Sequence, residues 1–260
     1  MTPPAPTVSV IVPTFREAAN LEVLVERVFR TLRTAAISGE LILVDDASED
    51  GTVEIVGRLS EQFPIRLMVR KIDRGLSSAV LCGFAQAHAD RFVVMDADLQ
   101  HPPEKIPELL RRLDEPPCDF VIGSRYIAGA GIEDHWPAHR RWVSRVATLL
   151  AGPLAPLSDP MSGFFALRRE TWHRARHALN PVGYKIALEL YVKCRCLHPV
   201  EVPIRFAARY AGKSKLTLRE QWRYLRHLAR LYRFRYPVGV TIVAVLGACV
   251  VMGLTWLMTR

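Results

Sequence analysis

Three common signatures are missing from this chain, and each absence removes a class of function. No GxGxxG turn follows the first apolar stretch, which speaks against a dinucleotide-binding Rossmann domain. The five cysteines (Cys82, Cys118, Cys194, Cys196 and Cys249) are odd in number and scattered, and Cys194-x-Cys196 alone is not a zinc site. They read as reduced thiols in a cytosolic setting. The start, MTPPAPTVSVIVPTF, has no basic region and an apolar run only at 8–12, so no signal peptide is expected. Acidic residues are scarce in one place. Between Arg205 and Arg235 ten Lys or Arg face a single acid, Glu220, so this stretch alone carries the net charge of +9. The basicity is one local patch followed by apolar sequence, which favours a lipid surface over nucleic acid as its partner.

What is present points to an α/β chain. Half of the 260 residues are hydrophobic, enough for a sizeable core, in one large domain or one domain with appendages. Residues 8–12 read as a buried strand, followed by Leu21, Leu24, Val25, Val28 and Leu32 at helical spacing. Residues 41–44 predict a second strand, Asp50-Gly51-Thr52 opens a helix, 66–69 predict a third strand and 75–89 another helix. This alternation implies crossover connections and a mostly parallel sheet, in which ligands sit beyond the carboxyl ends of the strands. Pro13 to Glu17, Asp45-Asp46 and Asp96 to Gln100 all fall at such ends.

The last of these lies within residues 91–104, RFVVMDADLQHPPE. Four apolar residues make a strand, and Asp96, Asp98 and Gln100 follow at alternate positions, which in extended chain would point one way. Hard oxygen ligands grouped like this suit Mg²⁺ or Mn²⁺, completed by phosphate and water. An isolated D-x-D would instead read as turn residues capping a loop. Pro102-Pro103 stops the strand and permits a helix from Glu104.

The string DADLQHPPE, with VSVIVPTFRE and LVDDASEDGT before it, resembles family 2 glycosyltransferases, in particular the dolichyl- and polyprenyl-phosphate mannose synthase branch. The resemblance covers about Val8 to Lys215 and implies a GT-A fold. It implies that Pro13, Phe15 and Glu17 line a base pocket, and that Asp45 with the Leu43 backbone contacts base or ribose. Asp46 reads as a loop cap. It further implies a metal on Asp98 and Gln100 supported by Asp96, with Ala97 beside the nucleotide sugar. Gly123-Ser124-Arg125 matches a G-S-R whose arginine sits near metal and phosphate. Arg140 and Ser144, four apart, match residues that contact the acceptor phosphate, although an amphipathic core helix with solvated arginines fits them equally. SDPMSGFF at 158–165 matches a D-P-x-S-G-F/Y turn, with Asp159 as turn residue or acceptor-side group. Lys185, Arg209 and Lys215 are the cations placed around the diphosphate. The chain departs from the family with Phe15-Arg16 for the usual Tyr-Asn, and with Ala208 for the usual acid before Arg209.

From Thr217 the pattern changes. Leu218, Trp222, Leu225, Ala229 and Tyr232 form one helical stripe, and Arg219, Arg223, Arg226, Arg230 and Arg233 a second, which suits a helix in the headgroup region. Residues 238–258 are uncharged and, at about 31 Å as a helix, match a bilayer core. The basic flank places the preceding domain in the cytoplasm. The expected organisation is a GT-A domain over 1–215, a basic interface helix over 216–236 and a transmembrane helix over 237–260.

The implied activity is transfer of mannose from GDP-mannose to polyprenyl or dolichyl phosphate, with inversion. Asp96, Asp98, Arg125 and Arg209 carry the catalysis, and the acceptor phosphate needs no separate base. The alternatives are another donor such as UDP-glucose, a processive polysaccharide synthase, and a silent membrane-recruiting subunit. Gln221-Trp222-Arg223 lacks the Q-x-x-R-W spacing of the synthases.

Overall fold

The computed structural model describes residues 5–133, 138–180, 183–208, 210 and 218–239, with positions 138–141, 143, 218 and 219 as backbone only. The first half alternates strands and helices: β1 (Val8–Thr14), α1 (Ala18–Thr34), β2 (Gly39–Asp45), α2 (Thr52–Ser60), β3 (Ile65–Val69), α3 (Leu76–Gln86) and β4 (Arg91–Val94). A 3-10 turn at Pro103–Lys105 leads into α4 (Ile106–Asp114), β5 (Phe120–Ser124), the short β6 (Gly131–Ile132) and α5 (Ala138–Ala151). Then follow β7 (Phe165–Arg168), α6 (Arg169–His173), α7 (Ile186–Lys193), β8 (Pro199–Pro203), β9 (Arg205–Phe206) and α8 (Leu218–Arg235).

The main sheet has seven strands in the order β3-β2-β1-β4-β7-β5-β8. All pairings are parallel except those of β7, which runs antiparallel to both β4 and β5. The mostly parallel GT-A-like sheet is therefore present, with one reversed strand that the alternating pattern did not announce. Because β7 is reversed, its start lies on the same rim as the ends of β1, β2, β4 and β5.

Strands buried on both faces divide their side chains by period two. Val8, Val10, Val12, Leu41, Leu43 and Val93 meet the α1 and α4 layer. Ile11, Ile42, Val44, Phe92 and Val94 meet Val80 and Phe84 of α3 and the α7–α8 layer. Helix α7 is bracketed by two left-handed residues, Gly183 at φ +71° three residues before its start at Ile186 and Arg195 at φ +52° two residues after its end at Lys193.

Helix α8 seats Leu228 and Leu231 in the core. Tyr224, Tyr232 and Tyr236 donate hydroxyl hydrogen bonds to the carbonyls of Ala147, Leu150 and Pro153. The buried His227 places Nε2 3.2 Å from Glu189 Oε2 on α7. The face against the protein is thus displaced from the stripe named above, and Trp222 and Leu225 of that stripe face outward. Helix α5 also shows an apolar outer side, with Trp142 67% and Leu149 76% exposed. Of the uncharged run 238–258, residues from 240 onward lie outside the described residues. Among the described residues no helix is long and apolar enough to cross a membrane.

Candidate active site

The site forms where the carboxyl ends of β1, β2, β4 and β5 meet the loop before β7. The DADLQ segment is built differently from the extended arrangement expected of it. Strand β4 stops at Val94, one more ladder bond joins Met95 N–H to the Ile11 carbonyl, and the chain then turns, with Leu99 at φ +62°. A tight turn, not alternation along a strand, therefore carries Asp96, Asp98 and Gln100. Asp98 Oδ1 accepts the Gln100 N–H at 3.1 Å, so one carboxylate shapes the turn that carries the others. Asp98, Gln100 and Ala97 are buried and Asp96 is half-exposed.

Gln100 donates Nε2–H to the Ala207 carbonyl at 3.0 Å, and Ala207 N–H returns a bond to the Gln100 carbonyl. Tyr210 N–H bonds the Asp98 carbonyl at 3.4 Å. The chain after β9 is thereby stitched to the DADLQ turn on both sides of Arg209. Arg209 itself and Lys215 lie outside the described residues. The bond to Ala207 also fixes which end of the Gln100 amide is oxygen.

Behind the turn sits His101, buried and stacked on Phe164 with ring centroids 5.4 Å apart. Its Nδ1 accepts the Asp96 N–H at 3.1 Å, so that nitrogen carries no proton. Burial, helped by Arg125 and Lys185, pushes His101 down to about 4 against the pull of Asp98 and Asp159. It is a neutral strut for Asp96. Gly163 closes the other side: a Cβ there would lie 3.1 and 3.2 Å from the Asp96 carboxylate oxygens and 3.3 Å from His101 Cε1. Gly163→Ala is therefore expected to push the Asp96 carboxylate aside. Turnover should fall about tenfold, since small displacements of a reacting group are expensive, with little change in the unfolding temperature. An unchanged kcat in a steady-state transfer assay would show that Asp96 needs no such clearance.

Arg125, at the end of β5, does not face the turn alone. It forms a bidentate pair with the fully buried Asp159, Nε to Oδ2 at 2.7 Å and Nη2 to Oδ1 at 2.8 Å. The Arg125 N–H adds a third bond to Asp159 Oδ2. Asp159 and Ser158 are held in turn by N–H bonds to Glu201 of β8. The guanidinium lies 5.1 Å from the Phe206 ring centroid. Burial works against the Arg125 charge, and Asp159 more than restores it. Lys185, ahead of α7, donates Nζ to the Met161 carbonyl at 3.2 Å. Burial first and Arg125 second draw its pKa down to about 8, with Asp159 and Asp96 opposing. Asp96, Arg125, Asp159 and Lys185 thus share one electrostatic neighbourhood.

The β1 and β2 ends form a second polar group. Asp45 is buried, with Oδ1 accepting from Thr14 and Ser48 hydroxyls and Oδ2 from the Ser48 N–H. Ser48 Oγ accepts the Arg16 N–H, tying the Phe15-Arg16 turn to β2. Asp45 thus spends most of its lone pairs on shaping this lip. Half-buried Phe15 and Pro13 lie on it, Glu17 accepts a bond from Asn20, and Leu43 is fully buried in β2. Asp46 is a structural acid, as its reading as a loop cap implied, bonding Arg70 and the Gly75 N–H. On α5, Ser144 Oγ lies 3.1 Å from the Tyr126 hydroxyl, next to Arg125 in sequence. The Arg140 side chain lies outside the described residues.

The oxygen set fits a partly protein-bound hard cation. Two carboxylates and an oriented amide come from one turn, and among the described residues no group of three His, Cys, Asp or Glu forms a closed metal site. The sequence reading missed His101, Gly163 and Glu201 as supports. The first two stood inside matched strings as unassigned letters, and Glu201 appears only as an acid within an otherwise apolar VEVP strand.

Comparison with known proteins places the chain in a family. Residues 9–175 match the profile of Glycosyl transferase family 2. A dolichol-phosphate mannosyltransferase of Mycosarcoma maydis is 46% identical over 256 residues, covering 96% of this chain and 86% of that protein. Its counterpart from Pyrococcus furiosus is 41% identical over 258 residues, covering 96% and 72%. The crystal structure of glucosyl-3-phosphoglycerate synthase from Mycobacterium tuberculosis, in complex with Mn²⁺, UDP-glucose and phosphoglyceric acid, has the same fold. Its TM-score is 0.64 at 18% identity, covering 88% of this chain and 79% of that one. The chain belongs to glycosyl transferase family 2 and is a glycosyltransferase of the dolichol-phosphate mannosyltransferase type.

Proposed function

We propose that the protein transfers mannose from GDP-mannose to dolichyl or polyprenyl phosphate, with inversion, at the cytoplasmic face of a membrane. The observation that carries this reading is the near full-length relation to dolichol-phosphate mannosyltransferases, combined with acidic turn, paired arginine and recessed lysine on one rim. Asp96, Asp98 and Gln100 would hold Mg²⁺ or Mn²⁺. When bound, that ion neutralises charge on the diphosphate and eases its departure.

The chain's own residues do the rest. Pro13, Phe15, Glu17, Asp45 and the Leu43 backbone form the lip that takes the nucleoside. Arg125, held rigid by Asp159, and Lys185 present fixed positive charge to the leaving diphosphate, joined by Arg209 and Lys215. Ser144 with Arg140 receives the acceptor phosphate, which is itself largely ionised at neutral pH. No side chain is needed as an indispensable base. Helix α8 lies at the membrane surface, and 237–260 cross it.

The deciding experiment offers purified protein radiolabelled GDP-mannose and UDP-glucose in parallel, with polyprenyl phosphate and either metal, and counts label in organic-extractable lipid. Label from GDP-mannose is the expected result. Label only from UDP-glucose would replace the donor, and label from neither would sink the reading.

Lys185 gives a pH-dependent prediction. A lysine lowered to about 8 is cationic below that pH and loses its charge above it. Affinity of the free enzyme for GDP should therefore weaken as pH rises through about 8, and Lys185→Met should bind weakly with a flat profile. Titration calorimetry checks this; a flat profile in the unaltered protein would remove Lys185 from the diphosphate site.

A further inference from the structure

The C-terminal ends of α5, α7 and α8 enclose a cleft of about 280 Å³ that the proposed reaction does not use. Its walls are apolar, from Pro153, Leu154, Tyr191 and Leu197, and two arginines, Arg195 and Arg235, stand among its lining. Both arginines are exposed, and among the described residues neither pairs with a carboxylate. The acid near this cleft, Asp119, is committed to the Leu197 and His198 N–H groups, with Arg174 at 3.5 Å.

Its position is informative. Tyr236 and Val238 are exposed where α8 gives way to the uncharged run 238–258, Leu197 at the cleft is 69% exposed, and exposed Leu150 carries the carbonyl that Tyr232 of α8 bonds. Two cations that, among the described residues, have no carboxylate partner, with Arg235 over the Tyr236 ring, stand among apolar walls where a basic helix meets uncharged chain, and they complement one ligand chemistry: a phosphodiester bearing acyl chains. Ser144 is seven residues back along α5 from Ala151, about 10 Å of helix, so this cleft is separate from the proposed acceptor contact.

We propose that this cleft binds the headgroup of an anionic phospholipid, the phosphate between Arg195 and Arg235 and an acyl chain against Pro153, Leu154 and Leu197. The inference rests on the membrane placement proposed above, and its test separates the two.

Full-length protein is placed in nanodiscs of phosphatidylcholine with phosphatidylglycerol, including a photoactivatable phosphatidylglycerol, and adducts are mapped by peptide mass spectrometry. Adducts are expected within 150–156 and 191–197. They should fall about tenfold in Arg195→Gln/Arg235→Gln and persist in Arg226→Gln/Arg230→Gln, which removes the same charge from exposed α8 positions outside the cleft. Equal loss in both double variants would reduce the effect to diffuse attraction and overturn the site. So would displacement of the adducts by soluble glycerol phosphate, which would make it a free-phosphate site, or by polyprenyl phosphate, which would make it part of the acceptor site. Protein that enters discs but gives no adduct there sinks this proposal alone. Protein that enters no disc sinks the membrane placement with it.

Discussion

Asp159→Ala is expected to lower stability by about 3–5 kcal/mol and to abolish transfer, because it breaks a buried ion pair by removing one partner. Asp159 is fully buried and accepts three bonds from Arg125, two from the guanidinium and one from the backbone N–H. Removing the carboxylate takes away all three of those bonds in a site where Arg125 is largely buried. For a domain of this size the loss corresponds to a drop in unfolding temperature on the order of 10 °C. Arg125→Lys keeps the charge but not the fork, so it should retain more stability than the alanine variant while losing most of its activity. The double change Arg125→Met/Asp159→Leu separates the two roles. Apolar replacement of a buried pair is often close to neutral for stability, so it should recover much of the lost unfolding temperature and none of the transfer. If Asp159→Ala melted within about 2 °C of the unaltered protein, another partner would be able to hold Arg125, and Asp159 would not be what fixes its position.

This pair also shows where the sequence stops being readable. Strands β1, β2 and β4 announce themselves because fully buried strands are apolar on both faces, and α1 does so because its buried positions recur at three and four. The oxygen-bearing residues of the DADLQ segment were visible for their chemistry, yet their geometry was not. Period-two reasoning holds only while the chain stays extended, and nothing in the composition says that β4 ends at Val94 or that Leu99 turns left-handed. Arg125 meeting Asp159 depends on β7 entering the sheet antiparallel between β4 and β5. That is a long-range choice made by packing, not by local propensity. The same holds for α8. Its apolar stripe was legible, but burying Leu228 and Leu231 beside His227 is decided by the α5 and α7 surfaces it meets.

Asp98→Asn should reduce mannosyl transfer by about 10²–10³-fold, the range seen when one preorganised electrostatic group is removed from a transition-state site. Asparagine is the informative replacement here. Asp98 Oδ1 accepts the Gln100 N–H, so alanine would remove a turn-forming acceptor along with the charge. Asparagine keeps that oxygen and shape and deletes only the charge, so the turn, the Gln100–Ala207 bonds and the packing of Ala97 and Leu99 should survive. Unfolding temperature should therefore stay within about 2 °C of the unaltered protein, a shift worth less than 1 kcal/mol. Binding provides the second readout. In the unaltered protein, Mg²⁺ or Mn²⁺ should strengthen GDP affinity, and chelation should reverse the gain. In Asp98→Asn the metal-dependent gain should vanish, while the affinity measured under chelation stays where Arg125 and Lys185 set it. Transfer that stayed within about threefold of the unaltered enzyme, well short of the loss expected for such a group, would place the reaction's charge stabilisation elsewhere on the rim. Lost activity with an intact metal response would instead make Asp98 a catalytic group in its own right, leaving the cation to Asp96 and Gln100.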